Sequence, residues 1–246
     1  MNKKIALVTG VSRGIGTSIA KKLHSEGVTI HGTYNSSKKE ALALQDRLEN
    51  LVLHHVDFSD RKQTLQFVDE LSSIQFDYII NNAGIILFEQ FDEVTYATWD
   101  AVLEVNLTTP FILTHALRNN INDGGVVVNI ASTDGLTGAY VSMSYSVSKA
   151  ALMNLTKSLG NVFGARGIRV VGIAPGWVGS GMDSPAIQEA IENNPLGRNA
   201  ETSDIANVVS FLISDKAAFI NGETIVVDGG YSNVDPILKK EAEAME

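Results

Sequence analysis

Tyr145 and Lys149 lie four positions apart in Tyr145-Ser146-Val147-Ser148-Lys149. On a helix that spacing puts a phenol and an ammonium on one face. A free tyrosine, with pKa about 10, is a poor base at neutral pH. A cation about 4 Å away, at an effective dielectric of about 20, favours the phenolate by about 4 kcal/mol, or about three pKa units. Burial works in the opposite direction, so the pair has the direction needed for general acid–base work without a fixed net value. Spacing alone is weak evidence. With 6 tyrosines and 12 lysines in 246 residues, chance yields about 0.3 such pairs, and Tyr34 with Lys38 repeats the pattern. That second pair is expected to span a strand end and a turn, where four-residue spacing does not align side chains, and it is rejected.

A second group of residues suits a phosphate ligand. Thr9-Gly10-Val11-Ser12-Arg13-Gly14-Ile15-Gly16 follows a short apolar run. Glycines here allow a tight turn and close backbone approach to a pyrophosphate, whose charge the following helix N-terminus favours. The spacing is G-x-x-x-G-x-G, not the commoner G-x-G-x-x-G. NAD binders place an acid about 20 residues on, against the ribose hydroxyls. Here no acid occurs between Val28 and Lys39. Ser12, Arg13, Thr33, Asn35 and Ser36 could instead surround a 2′-phosphate, for which a guanidinium is well shaped. NADP(H) is therefore expected in preference to NAD.

These groups need a scaffold, and the pattern is strand–helix alternation. Strands are expected at Ile5–Val8, Val28–Tyr34, Leu51–Val56, Tyr78–Ile80, Val126–Ile130, Arg169–Ile173 and Thr224–Val227. Ile15, Ile19, Ala20 and Leu23 recur at helical spacing, with Gly27 at the C-cap position. Further helices are expected over Ser37–Leu48, over Ser59–Leu71 with a serine cap, and near 95–119, 144–163 and 202–213. Alternation of this kind implies parallel pairing and right-handed crossovers. The expected fold is α/β, one doubly wound Rossmann-type domain over residues 1–234, with a seven-stranded parallel sheet and helices on both faces. Residues 235–246 lack an apolar stripe and read as a solvated tail. In such sheets ligands bind beyond the carboxyl ends of the strands.

Composition narrows the function. The net charge of −9 argues against nucleic-acid and anionic-membrane partners, which reward clustered Lys and Arg. Without cysteine there are no disulfides, thiolate nucleophiles or Cys-ligated metals, and no metal site is expected. The apolar run after Lys4 is too short for a signal peptide core, and nothing later approaches a membrane span. A soluble, cytoplasmic protein is the expectation.

Several motifs agree in order and spacing: the glycine turn, Asp57, Asn81-Asn82-Ala83-Gly84, Asn106, Ser132, Tyr145/Lys149 and Pro175-Gly176. Pro195-Leu196-Gly197-Arg198 and Val227-Asp228-Gly229-Gly230-Tyr231 complete the set. On these residues the chain resembles the short-chain dehydrogenase/reductase family, in its single-domain branch, over essentially its whole length. The resemblance implies that Tyr145 exchanges a proton with the substrate oxygen while Lys149 lowers its pKa and holds the nicotinamide ribose. It implies that Ser132 hydrogen-bonds the carbonyl oxygen and that Asn106 holds a water linking Lys149 to solvent. Asp57 would meet the adenine amino group, and Asn82, Ala83 and Gly84 would approach the adenosine ribose. Ile15, Phe58, Pro175, Gly176 and Val178 join the cofactor contacts, and Ser180, where the family usually has threonine, would bond the carboxamide. Val171 departs from an asparagine frequent in the family. His54 and His55 fall on the third strand and read as structural.

The implied reaction is reversible hydride transfer between NADP(H) and a carbonyl or secondary alcohol. Length and motifs are most similar to 3-oxoacyl-acyl-carrier-protein reductases, with an acyl carrier protein as candidate partner. An acidic carrier wants a basic landing patch. Arg166 suits one, but Arg118 is followed by Asn119-Asn120-Ile121-Asn122-Asp123, which is not basic. Trp177, Val178 and Met182 suit an apolar substrate-side flap, with core packing an equal reading for Trp177. A small ketone, sugar or cyclic alcohol is the alternative substrate. A non-catalytic NADP(H) sensor is the alternative class, opposed by the intact Ser132, Tyr145 and Lys149. The resemblance also implies a homotetramer.

Overall fold

The computed structural model describes residues 3–179 and 185–245, so Ser180 and Met182 lie outside the described residues. Seven strands are present: β1 (Ile5–Val8), β2 (Thr29–Tyr34), β3 (Leu51–His55), β4 (Phe76–Asn81), β5 (Ile121–Ile130), β6 (Arg169–Pro175) and β7 (Thr224–Val227). They pair in parallel, in the order β3-β2-β1-β4-β5-β6-β7. The helices are α1 (Gly14–Ser25), α2 (Lys38–Gln45), α3 (Arg61–Glu70), α4 (Tyr96–Leu103), α5 (Thr109–Ala116), α6 (Asp134–Thr137), α7 (Met143–Phe163), α8 (Pro185–Asn193), α9 (Thr202–Ile213) and α10 (Pro236–Glu243). The strand order reverses between β1 and β4, which places the ligand crevice beyond their carboxyl ends.

Alternation along each strand divides the core between the two faces. Ala6, Val8, Ile80 and Val128 join Ile19, Leu23, Val209 and Leu212 on one face. Leu7, Ile79 and Val127 join Phe67, Leu113, Leu159 and Phe163 on the other. With apolar residues needed on both faces, the strands read as continuous apolar runs, as expected for a covered parallel sheet.

The differences from the sequence reading have local causes. The cap of α3 is Asp60, not Ser59: its carboxylate accepts from the Lys62 and Gln63 N–H groups, while Ser59 turns back to Asp57. Gly27 fulfils its C-terminal role at φ 78°, donating to His24 O. Residues 236–243 are helical rather than irregular, opened by Asp235 accepting from Ile237 and Leu238, although their surface is solvated as expected. Asn106 interrupts the long helix expected near 95–119 with a π turn over Glu104–Thr108.

His31 and His54 are packed together on β2 and β3, with Nδ1 and Nε2 3.1 Å apart and the rings stacked. Phe76 meets His31 edge-on, and Phe67 lies against His54. Burial lowers both histidines, and each ring's charge would oppose the other's at His31. The folded chain thus binds protons less readily than the unfolded chain once pH falls below the ordinary histidine value of about 6.5. Stability should therefore be lost on acidification from pH about 7 toward about 5. In urea titrations the unfolding midpoint of His54→Leu should vary less with pH over that interval than the wild-type midpoint. Equal slopes would refute the assignment.

Candidate active site

The first wall of the site is the turn between β1 and α1. Gly10 and Gly14 have φ 73° and 57°, a region that L side chains avoid. A Cβ on Gly16 would lie 2.0 Å from Gly10 O. The turn is braced from behind by Thr33, whose hydroxyl accepts from Gly10 N at 3.1 Å. Asn82 also braces it, donating through Nδ2 to Thr9 O and Gly10 O. Thr9 Oγ1 accepts from Asn82 N and Ala83 N, each at 2.9 Å. No side chain caps α1, and its first turn holds no acid, so its leading N–H groups are available to an anion.

The turn opens on a cleft of about 550 Å³. Its wall contains Gly10, Ser12, Arg13, Gly14, Ile15 and Gly16, then Thr33, Asn35 and Ser36 from the end of β2, and Asp57 and Phe58 after β3. Asn82, Ala83 and Gly84 after β4 and Val178 after β6 also line it. Among the described residues of the wall Asp57 is the one carboxylate, and its Oδ1 accepts from Ser59 N and Oγ. Arg13 is exposed on the wall. A crevice this size, glycine-floored, ending on an uncapped helix and without an acid at the end of β2, fits a dinucleotide carrying a 2′-phosphate. Ser12, Arg13, Asn35 and Ser36 would hold that phosphate. Pro175 and Gly176 close the end of β6: Pro175 O accepts from Thr133 N at 3.0 Å, and Gly176 N donates to Val227 O at 3.1 Å.

The inner end of the cleft leads to the proton-transfer group. A Cβ on Gly84 would lie 3.3 Å from Asn106 Oδ1 and 3.5 Å from Lys149 Nζ, so the absence of a side chain there keeps the two ends in contact. Asn106 is fully buried. Its Oδ1 accepts from Ile85 N at 2.9 Å, and its Nδ2 donates to Ile85 O at 2.9 Å and Ser148 Oγ at 3.0 Å. An amide committed to these partners explains why the helix widens at Asn106: the side chain ties the segment after β4 to α7.

Tyr145 and Lys149 occupy the first turns of α7 on one face, with Nζ 5.5 Å from the centre of the phenol ring. Ser132, after β5, hydrogen-bonds Tyr145. Lys149 is buried and donates to Ile130 O at 2.7 Å. Burial lowers its pKa to about 8. Burial also raises the Tyr145 phenol; the Ser132 hydrogen bond lowers it, and the negative charge of Asp134 raises it again. Without cofactor the phenol therefore favours its protonated form. Such a set can donate a proton to an oxygen held between Ser132 and Tyr145. The rejected pair, Tyr34 and Lys38, ends β2 and begins α2.

Residues 10–232 match the family profile described as enoyl-(acyl carrier protein) reductase. The 3-oxoacyl-[acyl-carrier-protein] reductase of Aquifex aeolicus is 37% identical over 240 residues, covering 92% of this chain and 96% of the relative. The chain belongs to the short-chain dehydrogenase/reductase family. The acetoacetyl-CoA reductase of Rhizobium meliloti is 35% identical, covering 92% and 98% of the two chains. Among solved structures, a blue fluorescent protein from a metagenomic library in complex with NADPH superposes with TM-score 0.89 at 33% identity, covering 94% and 98%.

Against that family background, two features escaped the sequence reading. Asp134 stands two residues beyond Ser132, and only its proximity in sequence could have flagged it. Ile85 holds Asn106 through backbone atoms, which no side-chain pattern reveals. Of the two readings open for Trp177, flap or core, its 44% exposure removes core packing. Among the described residues no cluster suits a metal and no helix is long and apolar enough to cross a membrane.

Proposed function

We propose that the chain is an NADP(H)-dependent oxidoreductase that interconverts a carbonyl and a secondary alcohol. The observation that carries this reading is an uncapped, glycine-floored cleft whose Gly84 wall lies against Lys149, with Tyr145 on the same helix and Ser132 beside its phenol. Bound NADP(H) supplies or accepts the hydride. Ser132 and Tyr145 hold the substrate oxygen, and Tyr145 gives it a proton in reduction or takes one in oxidation. Lys149 is placed by Ile130 O and, through Asn106 and Ser148, by the helix that carries it. With the phenol raised by burial, the protonated form that reduction requires is the one present at neutral pH. A 3-oxoacyl thioester enters as a candidate substrate through the named relatives, and a small ketone, sugar or cyclic alcohol is the other candidate. A cytoplasmic homotetramer belongs to the same proposal, from family resemblance.

Oxidation of NADPH with a panel of acyl thioesters, diketones, sugars and steroids tests the reading. Tight NADPH binding without turnover of any of them would favour a non-catalytic sensor. The cofactor preference has its own test at Arg13. If its guanidinium meets the 2′-phosphate, Arg13→Ala should weaken NADPH binding by about 1.5–3 kcal/mol and leave NADH binding nearly unchanged. An unaltered NADPH-to-NADH affinity ratio, measured by fluorescence titration, would refute it.

A further inference from the structure

The substrate side of the site is built from two segments that meet above Tyr145. One follows β4, and the other runs from Ser132 to the start of α7. Glu89 N donates to Val141 O at 2.8 Å, which locks the two together. Both present apolar side chains to solvent: Ile86 and Phe88 from the first, Leu136, Tyr140 and Met143 from the second, with Phe88 72% and Tyr140 96% exposed. Exposed aromatics at the rim of a site serve an apolar ligand body.

The charges on these two segments have one sign. Residues 82–95 and 132–143 contain Glu89, Asp92, Glu93 and Asp134 and no Lys or Arg. Glu89 and Asp134 belong to the two mouth segments themselves. Asp134 is welded beside the reacting groups: its N–H donates to Ser132 Oγ at 3.2 Å, and its carbonyl accepts from Ser146 Oγ at 2.9 Å. Gly135, next along, packs on the α7 backbone so closely that a Cβ would sit 2.7 Å from Ala150 N.

Arg118, Arg166 and Arg198 are committed to this chain. Arg166 binds Asp123 and the carbonyls of Arg118 and Ile121. Arg118 donates to His115 O at 2.9 Å, and Arg198 pairs with Asp204 at 2.6 Å. An acidic carrier protein or a phosphate-bearing coenzyme A arm would approach a mouth whose two segments carry carboxylates and no cation.

We propose that this chain reduces uncharged ketones with an apolar or aromatic body, and that Asp134 and Glu89 are the specificity-determining residues that discourage anionic carriers. The proposal rests on the reductase reading above and refines its substrate. Among the described residues, the apolar rim favours the substrate body, and the carboxylates of the two mouth segments disfavour the carrier.

The test keeps the reacting group constant and changes what carries it. NADPH-dependent reduction of a 3-oxobutanoyl group is compared on N-acetylcysteamine, on coenzyme A and on an acidic carrier protein, by kcat/KM over a range of ionic strength. The uncharged thioester should exceed both others by at least about tenfold at low salt. The gap should narrow several-fold as salt screens the mouth. Asp134→Asn combined with Glu89→Gln should narrow it likewise, through a lower KM for the coenzyme A thioester. Preference for either anionic carrier at low salt would overturn the proposal while leaving the reductase reading intact. So would discrimination that ignores both salt and the two substitutions. Absence of turnover with all three, NADPH still binding, would overturn the reductase reading and this proposal together.

Discussion

Tyr145→Phe should lower kcat by about 10²–10⁴-fold with every accepted carbonyl, the range associated with a positioned general acid, while NADPH still binds. The substitution removes one oxygen and keeps the ring, which occupies the first turns of α7 beside Lys149. What disappears is the proton donor and the hydrogen-bond partner of Ser132. The phenol is suited to donation because burial and the Asp134 carboxylate both raise it, with only the Ser132 hydrogen bond acting against them. The same balance fixes the pH dependence: alcohol oxidation, which needs the phenolate, should climb with pH into the alkaline range, and reduction should not. Progress curves in both directions across pH, with cofactor affinity measured in parallel, check this. Retention of most of the wild-type kcat by the phenylalanine variant would remove Tyr145 from the chemistry. Tyr34→Phe is the control for kcat: Tyr34 lines the cofactor cleft at the end of β2, and Lys38 begins α2, so the two are not on one helix.

The legibility of this site in the sequence follows from the kind of signal each residue leaves. Strand–turn–helix with glycines at 10, 14 and 16 is a backbone requirement, so it is written in residue type, and the structure shows the positive φ and the close approach that demand it. Tyr145 and Lys149 were separable from Tyr34 and Lys38 because helix periodicity aligns side chains and a strand end does not. Ser59 was misread as a cap because Asp57, Ser59 and Asp60 all have capping chemistry, and only geometry assigns Asp60 to α3. The commitments of Asn106 to Ile85, of Thr9 to Asn82 and Ala83, and of Arg166 to Asp123 cross 21 to 74 positions. A single sequence carries no trace of such pairings. The direction of the Tyr145 pKa was equally hidden, because it depends on how deeply both members of the pair are buried.

Lys149 yields the second large effect, and one of opposite sign in two measurements. Lys149→Met should cut kcat/KM by about two orders of magnitude or more and weaken NADPH binding, yet raise the stability of the cofactor-free protein. The ammonium is buried, and burial brings its pKa from 10.5 to about 8. A folded-state value below the unfolded one is a destabilising contribution. Below pH about 8 both states hold the proton and the penalty is complete; between about 8 and 10.5 only the unfolded chain holds it, so stability rises with pH. The full difference corresponds to about 3 kcal/mol. The lost hydrogen bond to Ile130 O offsets part of the gain, leaving about 1–3 kcal/mol at pH 7. Urea titrations of the two proteins without cofactor should therefore separate at pH 7 and converge near pH 10. A lysine retained for packing would lose stability on replacement at both pH values, whereas one held at a cost to the fold is held for what it does in the cleft.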